Sequence, residues 1–197
     1  MFPFIKRIVD FTLSLLILAG LSIVFLILSL IIKLDSKGPV FFKQKRIGKD
    51  KKEFNILKFR TMKTDAPKEM PTHLLDKPDA YITPVGSFLR KTSLDELPQL
   101  INILRGDMSL IGPRPALWNQ YDLIEEREKY KANDVLPGLT GLAQISGRDE
   151  LPIEVKAEID GEYVVKQSPK VDAEIFIKTI FRVLLSDGVR EGKAKEM

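Results

Sequence analysis

The chain has 197 residues, a formal charge of +4 and 44% hydrophobic residues, which suits one compact domain with an appendage and favours anionic partners such as phosphates, nucleic acid or acidic lipid headgroups. It contains no cysteine, so disulfides, thiolate metal sites and cysteine nucleophiles are excluded, and nothing calls for an oxidising compartment.

The apolar residues are concentrated near the N-terminus, where no charge occurs from Phe11 to Ile32. At about 1.5 Å per residue such a helix reaches roughly the 30 Å of a bilayer's hydrocarbon core. A signal peptide fits poorly, because its apolar region is usually about 7–15 residues and ends in a small-residue cleavage site, whereas Lys33-Leu34-Asp35-Ser36-Lys37 follows here. Lys6 and Arg7 precede the block, while Lys33, Lys37, Lys43, Lys45 and Arg46 follow it. The positive-inside tendency then keeps both ends in the cytoplasm. A re-entrant hairpin broken near Gly20-Leu21-Ser22 satisfies this, and a single pass set by the stronger C-terminal bias is the alternative.

Beyond a turn at Lys37-Gly38-Pro39, Val40-Phe41-Phe42 opens an extended run, and residues 47–52 read as a hairpin-like loop. Glu53 to Met62 is strand-like, which places Lys58 and Arg60 on one face, a pair suited to phosphate or to a solvated edge. Residues 64–84 form a loop or cover containing the sole histidine, His73, expected to be solvated. The charged run from Glu125 to Lys131 reads as a solvated helix face. Asp172 is placed to cap a helix over residues 173–186, closed by Asp187-Gly188. The wide apolar stripe of that helix suits core burial first and the lipid headgroup layer second.

The chemistry concentrates in Arg90-Lys91-Thr92-Ser93-Leu94-Asp95-Glu96-Leu97-Pro98-Gln99. Leu97, Leu100, Ile101 and Leu104 recur at helical spacing, Ser93 and Glu96 have capping-box spacing, and Pro98 argues for a slightly later start. Asp95 and Glu96 therefore sit at a helix N-terminus, where they serve as caps or take part in phosphate chemistry beside Arg90 and Lys91. Gly112-Pro113-Arg114-Pro115 stiffens a loop around one guanidinium suited to bidentate phosphate contact. A turn and short strand from Pro137 lead to a further arginine, Arg148, beside Gly147.

Taken in series, Lys58-Phe59-Arg60-Thr61-Met62, Ser93 to Gln99, Gly106-Asp107-Met108-Ser109, Gly112-Pro113-Arg114-Pro115 and Pro137-Gly138-Leu139-Thr140-Gly141 through Gly147-Arg148 resemble the bacterial monotopic polyprenyl-phosphate phosphoglycosyl transferases in their small PglC-like form. That resemblance implies a catalytic Asp95-Glu96 dyad, Mg²⁺ dependence with Asp95 as metal ligand, a UDP-sugar donor and undecaprenyl phosphate as acceptor. Lys58, Arg60, Arg90, Arg114, Arg148 and, from the family alone, Asp160 are the expected substrate and phosphate contacts. It further implies a re-entrant helix at the cytoplasmic face of the bacterial inner membrane, with downstream glycosyltransferases as further partners. Members usually mark the break in that helix with Ser-Pro, where this chain has Ser22-Ile23.

The expected fold is α/β in the α+β sense, mainly helical with short strands. A membrane-embedded hairpin or anchor over residues 1–36 precedes a compact cytosolic catalytic domain over residues 37–197, carrying amphipathic interfacial helices. A membrane-tethered nucleic-acid module would use the basic loops without needing the dyad, so no nucleic acid is expected as a partner. A structural scaffold for envelope enzymes would need only the membrane block and helical surfaces.

Overall fold

The computed structural model describes residues 2–67, 78–147 and 151–184. Two helices come first, α1 (Phe2–Gly20) and α2 (Ser22–Asp35), meeting at a 63° bend. Leu21 makes the bend: its φ of −94° and ψ of 8° leave helical geometry. The hydrogen-bond ladder nevertheless continues, from Leu21 N to Ile17 O and from Phe25 N to Leu21 O, both 2.9 Å. The chain thus bends where the break is expected, without a proline. Among the described residues no single helix is long and apolar enough to cross a membrane, whereas this bent pair passes together by length and composition.

α1 begins well before the apolar block, so Lys6, Arg7 and Asp10 belong to it. Arg7 donates to Ile103 O (2.6 Å) and Leu104 O (3.1 Å), satisfying carbonyls left open where the helix over Gln99–Arg105 ends. The outward faces of α1 and α2 are apolar and exposed, reaching 72% at Leu26 and 79% at Leu34.

β1 (Phe41–Ile47) and β2 (Glu53–Phe59) form an antiparallel hairpin, with Phe41 opposite Phe59 and Ile47 opposite Glu53. Phe59 lies 5.5 Å from the Phe41 ring and 5.1 Å from Phe25, and joins Leu28, Ile32 and Leu89 in a small core beneath α2. Burying each such side chain contributes about 1.5–3 kcal/mol, so the hairpin and α2 stabilise one another. The strand expected to reach Met62 stops at Phe59, although Met62 still bridges to Ile82.

α3 (Pro84–Lys91) is capped by Thr83, whose hydroxyl accepts from Gly86 N at 3.0 Å, with Pro84 in the first turn. Ser93 then turns the chain through a left-handed conformation (φ 56°) into a 3-10 turn over Leu94–Glu96, followed by α4 (Gln99–Arg105). The expected capping box does not form. Ser93 makes no side-chain cap bond, and the Glu96 carboxylate is drawn away by two cations. The later start that Pro98 predicts is observed.

The larger core gathers Ile56, Leu100, Ile103, Met108, Leu110, Ile111, Tyr163 and Ile175. Its floor is a parallel pair, β3 (Ser109–Ile111) and β4 (Gly138–Thr140), with Ser109 opposite Gly138 and Ile111 opposite Thr140. α5 (Tyr121–Glu128), α6 (Leu142–Ser146), α7 (Ile153–Lys166) and α8 (Pro169–Leu184) pack around it. The fold is helix-dominated with short strands, as expected.

Two helical expectations are corrected. The charged face of α5 is not wholly solvated, because Arg127 is buried against Asp160. α8 starts at Pro169, so Asp172 lies inside its first turn and binds Lys6 and Tyr163 instead of capping. Of its apolar stripe Ile175 is buried, while Phe176, Ile177, Ile180 and Phe181 stay exposed, so core burial does not account for the stripe.

The β3–β4 junction tolerates no side chain at Gly138, where a Cβ would stand 2.1 Å from Gly112 N and 2.6 Å from Gly112 O. Replacing Gly138 with alanine is expected to lower stability by about 1–3 kcal/mol through forced backbone displacement. Thermal melting of the two proteins side by side checks this, and an unchanged midpoint would refute the packing described.

Candidate active site

Asp95 and Glu96 occupy the 3-10 turn that leads into α4, and β2 runs alongside it, so Lys58 projects from the strand toward both acids. Lys58 Nζ donates to Glu96 Oε1 at 2.6 Å and lies 3.9 Å from Asp95 Oδ2. From the other side Arg114 donates to the same Glu96 Oε1 at 3.1 Å. Arg90, on α3, donates to Thr61 Oγ1 at 2.9 Å and acts electrostatically on Asp95.

This arrangement splits the two acids. Burial pushes the Asp95 carboxyl up to about 6, with neighbouring Glu96 adding to the rise and Lys58, Arg90 and Arg114 opposing it. Burial acts on Glu96 in the same sense, yet the charges and hydrogen bonds of Lys58 and Arg114 together outweigh it and hold its carboxyl well below the usual carboxylate range. Glu96 is therefore a fixed anion, whereas Asp95 changes charge near neutrality.

A second layer holds these groups in register. Asn102 on α4 is fully buried, accepting from Leu57 N (2.9 Å) and donating to Asn55 O (2.8 Å) and Asp107 Oδ2 (3.1 Å), which fixes β2 beside the dyad. Arg46 donates to Pro115 O at 3.0 Å, and Ile47 N to Ala116 O at 2.9 Å, so the hairpin also braces the Arg114 loop. Sequence reasoning missed Asn102, Thr61 and Arg46. The one visible signal was an asparagine among the apolar positions of α4.

Thus Lys58, Asp95, Glu96 and Arg114 converge, with Arg90 beside them. Arg60 does not join them. Its buried guanidinium donates to Ile32 O (3.1 Å), Ser36 O (2.6 Å) and Lys37 O (2.8 Å), closing the carboxyl end of α2. The shared face expected for Lys58 and Arg60 is lost because the strand ends between them. Asp160 is likewise committed, buried on α7 and accepting from Arg127 Nε at 2.9 Å. Arg148 and His73 lie outside the described residues.

The family model for bacterial sugar transferases matches residues 1–186, and the chain belongs to that family. It is an enzyme of the phosphoglycosyl transferase class. Over 187 residues it is 40% identical to the sugar transferase EpsL of Bacillus subtilis, covering 95% of this chain and 91% of that protein. It is 38% identical to the exopolysaccharide production protein ExoY of Sinorhizobium fredii, covering 93% and 87% respectively. Over 186 residues it is 42% identical to the UDP-glucose:undecaprenyl-phosphate glucose-1-phosphate transferase of Escherichia coli K12, covering 90% of this chain and 40% of that longer protein.

Substituting Arg60 with methionine removes bonds to three backbone carbonyls and is expected to cost about 3 kcal/mol of stability. The melting temperature should fall. A raised KM at an unchanged melting temperature would place Arg60 on substrate instead.

Proposed function

We propose that the protein transfers a sugar 1-phosphate from a UDP-sugar to undecaprenyl phosphate, releasing UMP and giving undecaprenyl-diphospho-sugar for glycoconjugate synthesis. The carrying observation is the convergence of Lys58 and Arg114 on Glu96 beside a buried Asp95 whose charge is adjustable. The names of relatives from Escherichia coli and Komagataeibacter xylinus, both undecaprenyl-phosphate glucose phosphotransferases in substance, support the same acceptor and make UDP-glucose the first donor to try.

Asp95 is the nucleophile. One of its oxygens attacks the phosphorus that bears the sugar, the bond from that phosphorus to UMP breaks, and UMP departs with the electron pair. An oxygen of undecaprenyl phosphate then attacks the phosphosugar-aspartyl group, and the Asp95 carboxylate leaves. The difficulty is electrostatic, since an anion must approach a diphosphate. Lys58, Arg90 and Arg114 relieve it as positioned cations, and Arg148 belongs to the same proposed set. Glu96 holds Lys58 and Arg114 in place; so strongly stabilised an anion is a poor proton acceptor, which favours orientation over base catalysis. Arg60 and Asp160 are assigned to structure.

Mg²⁺ is the ion this proposal invokes. Among the described residues there is no group of three or more acidic or histidine ligands, and this ion characteristically takes one or two protein carboxylates together with substrate phosphates. Asp95 would hold it, and it would supply neutralisation of phosphate charge. The exposed apolar faces of α1, α2 and α8 support placement in the cytoplasmic leaflet of the bacterial inner membrane, with the bent pair re-entrant. Downstream glycosyltransferases would take up the product.

Because attack requires ionised Asp95, kcat/KM for donor is expected to fall as pH drops through about 6. Asp95→Asn should abolish UMP release and acid-labile labelling by donor phosphate while leaving membrane association intact; full turnover by that variant refutes the nucleophile. Glu96→Gln removes a like charge from beside Asp95, so the acid limb should move to lower pH while the maximal rate drops about 10- to 100-fold, as catalytic mutations of this kind do. An acid limb that stays in place would show that Asp95 does not set it. Incubation with a UDP-sugar panel, Mg²⁺ and polyprenyl phosphate, followed by UMP assay, tests the activity itself.

A further inference from the structure

The bent helical pair does more than present an apolar surface, because each arm makes polar contacts with a different part of the molecule around the site. On α1, Asp10 is only 3% exposed. Its Oδ2 accepts from Ser109 Oγ at 2.7 Å and its Oδ1 from Leu110 N at 3.3 Å. Lys6 lies 3.8 Å from Asp10 and donates to Asp172 at 2.7 Å. Asp172 in turn accepts from Tyr163 OH at 2.8 Å. Both hydroxyls also face the carbonyl of Ile111, Ser109 Oγ at 3.0 Å and Tyr163 OH at 3.1 Å. Ile111 ends β3, and the loop carrying Arg114 follows at once. On α2 the carboxyl end is gripped by Arg60, two residues past Lys58.

We propose that the α1–α2 pair is a positioning device of the active site, in which α1 sets the Arg114 loop through Asp10, Ser109 and Tyr163, and α2 sets Lys58 through Arg60. This rests on the reading of Lys58, Glu96 and Arg114 given above. An apolar arm held by oily contact alone tolerates sliding, since such contacts are non-directional. A buried carboxylate matched to one hydroxyl and one amide accepts a single register, because any other leaves the charge without partners in a poor solvent. The two cations that meet on Glu96 are thus each referred to one arm of the same bent element. Asp10 and Tyr163 act through the loop and are positioning residues.

The test uses the full chain in lipid nanodiscs, with Asp10→Ala and, as a milder change that keeps ring packing, Tyr163→Phe. Amide hydrogen exchange is expected to speed up at least tenfold at Gly112 and Arg114 in both variants, with α5 unchanged. With UDP-glucose as donor probe, or the UDP-hexose a donor panel selects, kcat/KM should fall about tenfold in each. In an Arg114→Lys background the same changes should cost less than twofold, since the group they position is already displaced. Unchanged exchange at Gly112 and Arg114, or an equal loss in both backgrounds, overturns the proposal. A native chain that releases no UMP from any UDP-hexose would sink the proposed function instead, and hydrogen exchange would still decide whether α1 sets the loop.

Discussion

Glu96 Oε1 receives Lys58 from one side and Arg114 from the other. Without this anion the hairpin and the arginine loop would present two cations with Asp95 beside them but no shared oxygen to tie the two elements together. With it, both cations are held near Asp95 and their charge partly offsets the cost of burying that second acid. The strand, the turn and the loop are each short, so one shared oxygen orders elements that could not order themselves.

The consequence for chemistry is a division of labour between adjacent carboxylates. Neighbouring acids in identical surroundings would compete for cations and titrate together. Here the contacts fall unequally: Lys58 bonds Glu96 at 2.6 Å and approaches Asp95 at 3.9 Å. The acid whose carboxyl burial pushes up is the one that changes charge, as the proposed nucleophile requires.

Much of this was legible in the sequence, and the failures have physical causes. The dyad stood out at a helix-start signal and Arg114 between two prolines, while Lys58 stood out as one of two cations on a strand. The bend near Leu21 followed from basic flanks on both sides of an apolar block. Arg60 and Asp160 were misplaced because a charge in a sequence does not name its partner: Arg60 found three carbonyls at a helix end, and Asp160 found Arg127. Ser93 looked like a cap, yet its left-handed backbone turns α3 into the dyad and denies it the capping geometry. Asp10 gave no signal, since its partners Ser109 and Leu110 lie far along the chain.

The apolar faces of α1, α2 and α8 also bear on how the molecule behaves in water. Residues such as Leu26, Leu30, Leu34 and Phe181 lie open to solvent, and hiding surface of this kind from water contributes about 25 cal/mol per Å². Stripped of lipid and amphiphile, two copies would bury these faces on one another by the same driving force. The hydrophobic cost of these open faces is enough by itself to account for a dimer or larger particle recovered from such a preparation.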